Sequence, residues 1–185
     1  SSSLGMMTGD ATTTLRGDTR IGGVNAFSLD AQRVLRNEGH VALASSIQLN
    51  RTNALGAGRI ENAVGGVIDI QTYNLAIVSA DQGGLDHGRD ARFDNDGLLK
   101  KSGRNNYSIA VPFFNRGTVS VEEGSLTING TVLQAGTVRV AAGTAYTTSG
   151  VLDNLGLLQG SGTIAAGTVS NRGVVSPGNS PGTLA

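Results

Sequence analysis

The sequence predicts an all-β protein, a right-handed parallel β-helix (β-solenoid) with coils of about 20 residues. Three observations predict this fold. Glycine accounts for 28 of the 185 residues and aromatic residues for only 4%, which favours short strands joined by tight turns over a thick globular core. Apolar and polar residues alternate in short runs, as in a half-buried strand. These runs recur at a nearly regular spacing, with Asn and Gly at fixed positions.

The repeat is clearest from residue 93 onward. Segment 114–128 reads FNRGTVSVEEGSLTI, in which a turn at Asn115-Arg116-Gly117 precedes two alternating runs. Aligned segments give the turn glycines Gly39, Gly65, Gly97, Gly117, Gly136, Gly156 and Gly173, spaced by 26, 32, 20, 19, 20 and 17 residues. We expect each of these turns to need a positive φ, which Gly and Asn tolerate best. A period near 20 with internal alternation indicates a solenoid, in which stacked coils share one core.

Most repeats carry an amide side chain two residues before the turn glycine. In stacked coils these amides would lie one above another, each bonded to the next, as in the amide ladders of stacked strands. In segment 63–70 Ala63 takes the amide position if Gly65 is the turn glycine. The predicted ladder consists of Asn95, Asn115, Gln134, Asn154 and Asn171.

The same alignment predicts the core and the domain organisation. The residues expected to point inward in stacked columns are Val119, Val121, Val138, Val140, Leu158 and Val175. We expect one β-helix segment over 1–185, with a less regular start or capping region at 1–35 and a polar loop insertion at 79–96. Two alternatives remain. Residues 25–39 also fit a short helix, and an antiparallel sandwich also has short, regularly spaced strands; a sandwich, however, gives no reason for Asn and Gly to recur in register.

Several motifs in the second half of the chain point to one class of proteins. Residues 160–164 read GSGTI, 171–173 read NRG and 176–182 read SPGNSPG. In these motifs, and in the run 93–128, the chain resembles secreted bacterial surface proteins with a right-handed parallel β-helix, namely autotransporter passengers and filamentous-haemagglutinin-like adhesins. The resemblance covers about half of the chain. It implies export across a Gram-negative envelope and a location that is secreted or on the outer cell surface.

The tripeptide Arg16-Gly17-Asp18 is one candidate binding motif. In an exposed loop it resembles the integrin-binding motif of some bacterial adhesins. The alternative is a glycine turn flanked by solvated charges.

The polar loop offers a candidate cation site. Its aspartates are Asp86, Asp90, Asp94 and Asp96, and carboxylate oxygens on a loop are ligands that Ca²⁺ accepts. Their spacing matches neither the EF-hand loop nor the nonapeptide calcium repeat. A solvated polar loop is the alternative, and we expect no metal ion and no cofactor.

The charge pattern argues against catalysis and against two classes of partner. Glu122 and Glu123 share one corner, but Ala141 and Ala142 follow in the next repeat, so no acidic groove forms across coils. The balanced charge, 14 basic and 14 acidic residues, gives no reason to expect nucleic acid. No apolar run is long enough to span a bilayer, so we expect no direct membrane insertion.

These observations favour a structural or adhesive segment of a bacterial surface or extracellular β-helical protein or fibre, without catalysis. The expected partners are the remainder of a longer β-helix chain or further copies of this one. A host-surface molecule or a polysaccharide is the candidate ligand. The alternative function is a carbohydrate-binding or polysaccharide-cleaving β-helix protein.

Overall fold

The computed structural model describes residues 5–23, 26–51, 56–71, 75–79, 88–178 and 183–184. Within these ranges the chain forms 23 β-strands and no helix, and hence no helix of the length and apolarity that crossing a bilayer requires. Strands from successive coils pair in parallel. The predicted β-solenoid is therefore confirmed, and the antiparallel sandwich is wrong.

Each coil contributes strands to three stacks, here called A, B and C. Stack A contains β2 (Thr12–Leu15), β5 (Val34–Asn37), β8 (Arg59–Asn62), β11 (Arg92–Asn95), β14 (Phe113–Asn115) and β17 (Val132–Gln134). Stack B has 8 strands: β3 (Asp18–Gly22), β6 (His40–Ala44), β9 (Val67–Ile70), β12 (Leu98–Lys101), β15 (Thr118–Val121), β18 (Thr137–Val140), β20 (Leu157–Gly160) and β22 (Val174–Pro177). Stack C contains β1 (Met6–Met7), β4 (Phe27–Leu29), β7 (Ile47–Gln48), β10 (Leu75–Val78), β13 (Asn106–Ile109), β16 (Ser125–Ile128) and β23 (Thr183–Leu184).

Two long strands join stacks C and A near the end of the chain. β19 (Ala145–Asn154) pairs first with β16 and then with β17, and β21 (Thr163–Asn171) pairs with β19 along both parts. The register between β19 and β21 shifts between Thr148 and Val151. The corner between C and A is therefore replaced by an irregularity within one strand in these coils.

Early residues belong to the same three stacks. The region 1–35 contributes β1 and β4 to stack C, β2 to stack A and β3 to stack B. The helix considered for 25–39 is wrong, because β4 and β5 occupy this segment. A turn between them places Ala31 and Gln32 at positive φ.

Alternating apolar residues fill the interior. Of the predicted inward residues, five are buried and Val175 is partly buried against them. The columns follow the strand register, in which Val119 pairs with Val138 and Val138 with Leu158. In stack A the rings of Phe93 and Phe113 meet edge to face, with centroids 5.3 Å apart. The core is narrow because each coil supplies only a few such side chains.

The connections between stacks differ in length. Stack A joins stack B through two residues, such as Arg116 and Gly117, except at 63–66. The longest connections run from C to A, at 49–58 and 79–91. The second is shorter than the predicted loop 79–96, because 92–95 form β11 and Phe93 and Asn95 are fully buried there.

Candidate functional site

A ladder of buried amides runs along the corner between stacks A and B. Nδ2 of Asn95 donates to Oδ1 of Asn115 at 2.7 Å, and Nδ2 of Asn115 donates to Oε1 of Gln134 at 2.9 Å. Gln134 donates to the carbonyl oxygen of Gly136 at 2.9 Å. Gln134 makes no amide bond to Asn154, and beyond it a separate pair follows, in which Nδ2 of Asn154 donates to Oδ1 of the exposed Asn171 at 2.7 Å. The amides also donate to backbone carbonyls after the turn, so they bind each corner to the next coil.

The ladder begins earlier than the sequence alignment indicated. Nδ2 of Asn37 donates to Oδ1 of Asn62 at 2.8 Å, and Nδ2 of Asn62 donates to Oδ1 of Asn95 at 2.7 Å. Asn62, and not Ala63, therefore occupies the amide position in its coil. A longer turn conceals it in the sequence, because the connection at 63–66 holds four residues in place of two.

Gly66, and not the predicted Gly65, belongs to the column of turn glycines. Val67 pairs with both His40 and Leu98, which aligns Gly66 with Gly39 and Gly97. Gly65 has a φ of +83° and would meet no atom within 4 Å through an added Cβ. Gly65 thus forms part of the longer turn at 63–66, whereas Gly66 packs against the backbone of the neighbouring coil.

Crowding explains the column glycines better than the positive φ expected from the sequence. None of Gly39, Gly97, Gly117, Gly136, Gly156 and Gly173 has positive φ. An added Cβ on Gly117 would lie 2.1 Å from the carbonyl oxygen of Gly97, and one on Gly136 would lie 2.0 Å from that of Gly117. The same contact recurs at the other four, at 2.0–2.6 Å. Glycine is needed because the backbones of successive corners touch.

The outer face of stack A carries most of the paired charges. Near the start of the solenoid, Nε of Arg16 lies 3.1 Å from Glu38, and Nε of Arg36 lies 2.9 Å from the same carboxylate. Nη1 of Arg36 lies 3.0 Å from Glu61. Hydrogen bonds from the two arginines lower the pKa of Glu38, and both carboxylates raise the pKa of Arg36.

A second set of ion pairs contains two of the predicted cation ligands. Asp94 lies 2.7 Å from Nε of Arg92 and 3.7 Å from Arg116, and Asp96 accepts two bonds from Arg116 at 2.6 and 3.1 Å. Asp90 lies 3.7 Å from Arg59, while Asp86 lies outside the described residues. No group of three or more potential metal ligands occurs in the described part of the chain. Asp94 and Asp96 are thus positioned toward guanidinium groups and not around a shared cation position.

The tripeptide Arg16-Gly17-Asp18 lies at the first corner between stacks A and B. Gly17 is in the glycine column, beneath Gly39. The Arg16 side chain is 77% exposed although it pairs with Glu38, and the Asp18 side chain is 95% exposed, with a carboxylate oxygen 3.4 Å from Nδ1 of His40. Both charged side chains are therefore accessible on a corner whose backbone follows the coil.

A groove of about 510 Å³ lies on the outer face of stack A. We call it the Phe114 groove. It is lined by Arg36, Glu61, Ala63, Arg92, Asp94, Asp96, Phe114, Arg116 and Leu133. Phe114 is partly exposed, and the register places it between Asp94 on the coil before and Leu133 on the coil after. This site was not predicted from the sequence, because its residues come from coils that are separated by about 20 positions or more.

A second groove, of about 470 Å³, lies on the outer face of stack B. Its lining mixes polar side chains, such as Ser120, Arg139 and Gln159, with aliphatic ones such as Ala141 and Pro177. No aromatic side chain takes part in it. It therefore offers a ligand hydrogen bonds and aliphatic contacts but no aromatic ring.

The exposed carboxylates have cationic neighbours. Glu122 lies 2.9 Å from Nζ of Lys100, and Glu123 lies 3.6 Å from Nε of Arg104. The hydrogen bond with Arg172 lowers the pKa of Asp153. Hydrogen bonds with Arg36 and Arg16 lower the pKa of Glu38 in the same way. A general acid in glycoside hydrolysis needs a raised pKa instead. The pKa values of Glu38 and Asp153 are thus shifted in the direction opposite to the one that a general acid needs.

The side chain of Lys101 lies inside the solenoid although it carries a charge. Lys101 is fully buried in a column between Ile70 and Val121. Its Nζ donates to the carbonyl oxygens of Gly103 and, at 3.4 Å, Glu123. Burial lowers the pKa of this ammonium group. Lys101 could not be recognised from the sequence, because lysine is almost never fully buried.

Comparison with known proteins adds no family to this description. No protein-family model matches the chain, and no curated protein and no solved structure matches it. The established result is the fold, a β-solenoid of about 8 turns. Solenoids of this kind carry many different functions, so the fold alone does not select one.

Proposed function

We propose that this chain is a structural or adhesive segment of a bacterial surface or extracellular β-helical protein or fibre, with no catalysis of its own. The observation that carries the proposal is the buried amide ladder from Asn37 to Gln134. It joins five consecutive coils, and the pair Asn154 and Asn171 joins the next two to each other. Such a ladder gives a stiff element that holds its outer faces in a fixed arrangement.

Rigidity of this kind suits a spacer or a display surface. Parallel strands in eight coils, at ~4.8 Å per coil, make a body of roughly 35–40 Å along its axis. Each coil contacts mainly its neighbours, as in other repeat proteins. A solenoid therefore lengthens by adding coils, which matches a role within a longer β-helix chain or an assembly of copies.

The proposed location is secreted or on the outer surface of a Gram-negative bacterium. The resemblance of 93–128, 160–164 and 171–182 to autotransporter passengers and filamentous-haemagglutinin-like adhesins supports it. The absence of cysteine agrees with this route, because a disulfide-crosslinked chain would not thread an export pore. A host-surface molecule contacting Arg16 and Asp18 would be the corresponding adhesive partner.

Surface exposure is tested in the source cell with an antibody against the chain. Intact cells are treated with a protease, and the cells and medium are then probed for the epitope. Loss of the epitope from intact cells, or its presence in the medium, is expected. An epitope that resists the protease until lysis would overturn the proposed location.

The absence of catalysis is tested separately on the purified chain. The chain is incubated with acidic and neutral polysaccharides, and new reducing ends and unsaturated ends are measured. No increase above a heat-denatured control is expected. Depolymerisation of any polysaccharide would overturn the non-catalytic role without affecting the conclusion about location.

A further inference from the structure

The Phe114 groove has a feature that a purely structural face does not require. The outward column of stack A that contains Phe114 holds no other aromatic residue within the described part of the chain; its members are Thr14, Arg36, Glu61, Asp94, Phe114, Leu133, Asp153 and Ser170. The ring of Phe114 is partly exposed, whereas the rings of Phe93 and Phe113 are buried in the core. Leu133 follows on the next coil and continues the apolar surface. The groove thus contains an aromatic ring and an adjoining leucine among charged side chains.

The polar rim is electrically balanced. Three arginines, Arg36, Arg92 and Arg116, face three carboxylates, Glu61, Asp94 and Asp96. Ion pairs of 2.6–3.0 Å hold them. Side chains that are already held lose less freedom when a ligand binds. The rim is therefore ordered in advance and carries no net charge.

This rim still offers hydrogen bonds of both kinds. The bonds to Asp96 use Nε and Nη2 of Arg116, which leaves Nη1 for another acceptor. Each carboxylate oxygen accepts more than one bond, so Glu61 and Asp94 can still accept from a ligand. Hydroxyl groups both donate and accept hydrogen bonds. A ligand that carries them therefore matches this set of donors and acceptors better than a ligand that can only donate or only accept.

The charge balance also selects against ions. An anionic ligand would approach the carboxylates Asp94 and Asp96, and a cationic ligand would approach the guanidinium groups beside them. A neutral ligand meets neither repulsion. The groove volume of about 510 Å³ lies within the ~300–1,000 Å³ usual for ligand sites.

We propose that the Phe114 groove binds a neutral glycan. The C–H face of a sugar ring would pack on the aromatic ring, whose π-face is electronegative. The ring hydroxyls would bond to Arg116 and to the carboxylates around it. This binding site goes beyond the structural role proposed above and does not depend on it.

The experiment is affinity electrophoresis of the folded chain in native gels. The gels contain dextran, mixed-linkage β-glucan, xylan or galactomannan as neutral probes, and polygalacturonate as the acidic probe. Four proteins are compared: the natural sequence, Phe114→Ala, Phe114→Tyr and Val174→Ala. Val174 is a matched control, since it is 58% exposed and lies on β22, outside the groove. Circular dichroism melts verify that each variant is folded.

The expected result is retardation by at least one neutral polysaccharide. Phe114→Ala should weaken it about tenfold or more, as for a central aromatic contact, while Phe114→Tyr and Val174→Ala retain it. No retardation by any neutral probe would overturn the proposal. Equal retardation of folded Phe114→Ala, or retardation by polygalacturonate alone, would overturn it as well. If Phe114→Ala does not fold, Arg116→Gln replaces it, with the same loss expected and retained binding contradicting the site.

Discussion

Asn95 donates a hydrogen bond from its side-chain nitrogen to the side-chain oxygen of Asn115, which lies 2.7 Å away on the next coil. Both side chains are fully buried. Asn115 donates in turn to Gln134, so its amide accepts from one coil and donates to the other. An amide buried without such partners would be costly. Loss of one member therefore affects the coils on both sides.

Replacement of Asn115 measures the strength of this ladder. Asn115→Ala removes bonds to Asn95, Gln134 and the carbonyl of Thr137, and we expect a loss of about 1–3 kcal/mol in the free energy of unfolding. Asn115→Asp should cost more, because a carboxylate accepts but cannot donate. Chemical denaturation measures both. The exposed Asn129 is the control, with a change within ~0.5 kcal/mol for Asn129→Ala. Equal effects at Asn115 and Asn129 would contradict the ladder.

Two glycines of the column, Gly136 and Gly17, occupy equivalent corners but differ in how closely the preceding backbone approaches. In Gly136→Ala the new Cβ would lie 2.0 Å from the carbonyl oxygen of Gly117, whereas at Gly17 a Cβ would meet nothing within 4 Å. We expect Gly136→Ala to lose at least ~1–3 kcal/mol through overpacking, and Gly17→Ala to change stability by less than ~0.5 kcal/mol. Thermal melts of the two variants test this. A similar shift in both would show that conformation, and not crowding, selects glycine here.

Adjacent residues of β18 test the inward register. Val138 is fully buried and Arg139 is exposed. Val138→Asp would place an unpaired charge in the core, at a cost of about 3–5 kcal/mol. Arg139→Asp should alter the free energy of unfolding far less. Unfolding followed by circular dichroism distinguishes them, and an unchanged melt of Val138→Asp would refute the register.

Lys101 predicts a pH dependence with a definite sign. Burial lowers the folded-state pKa of Lys101 below the ordinary value of 10.5. Between that lowered pKa and 10.5 the unfolded chain binds more protons than the folded chain, so stability rises with pH in this window. Lys101→Met lacks this contribution. The difference in free energy of unfolding, natural sequence minus variant, should therefore increase from pH 7 to pH 10, as measured by urea denaturation. A constant difference would contradict the lowered pKa.

The repeat itself could be predicted because the chain carries the same residue types at each corner. Asn115 and Gly117 recur as Asn154 and Gly156, so the ladder and the glycine column are visible in the letters alone. Asn62 was not visible, since a turn two residues longer separates it from Gly66. The physical reason for the glycines also needed the structure. The close contact between the backbones of successive coils is a distance in space, and a single sequence does not reveal it.

The neighbours of the residues in the Phe114 groove could not be predicted from the sequence. Each of its ion pairs joins residues that share a strand or lie one coil apart, such as Arg92 with Asp94 and Arg116 with Asp96. Asp94 and Asp96 were noticed in the sequence but interpreted as part of a polar loop. Asp94 belongs instead to β11, where alternation within the strand directs it outward beside Phe114. Sequence spacing identified the residues, and only the register identified their neighbours.

The unequal connections have a practical consequence for protein engineering. The corner between stacks A and B holds two residues in almost every coil, whereas the one between C and A ranges from the fused strand β19 to connections such as 79–91. The second edge thus tolerates inserted peptide while the ladder and core keep their places. Foreign epitopes grafted between Ile128 and Val132, and at the same point one coil earlier, would be presented side by side at ~4.8 Å intervals. This solenoid therefore provides a scaffold for closely spaced multivalent display.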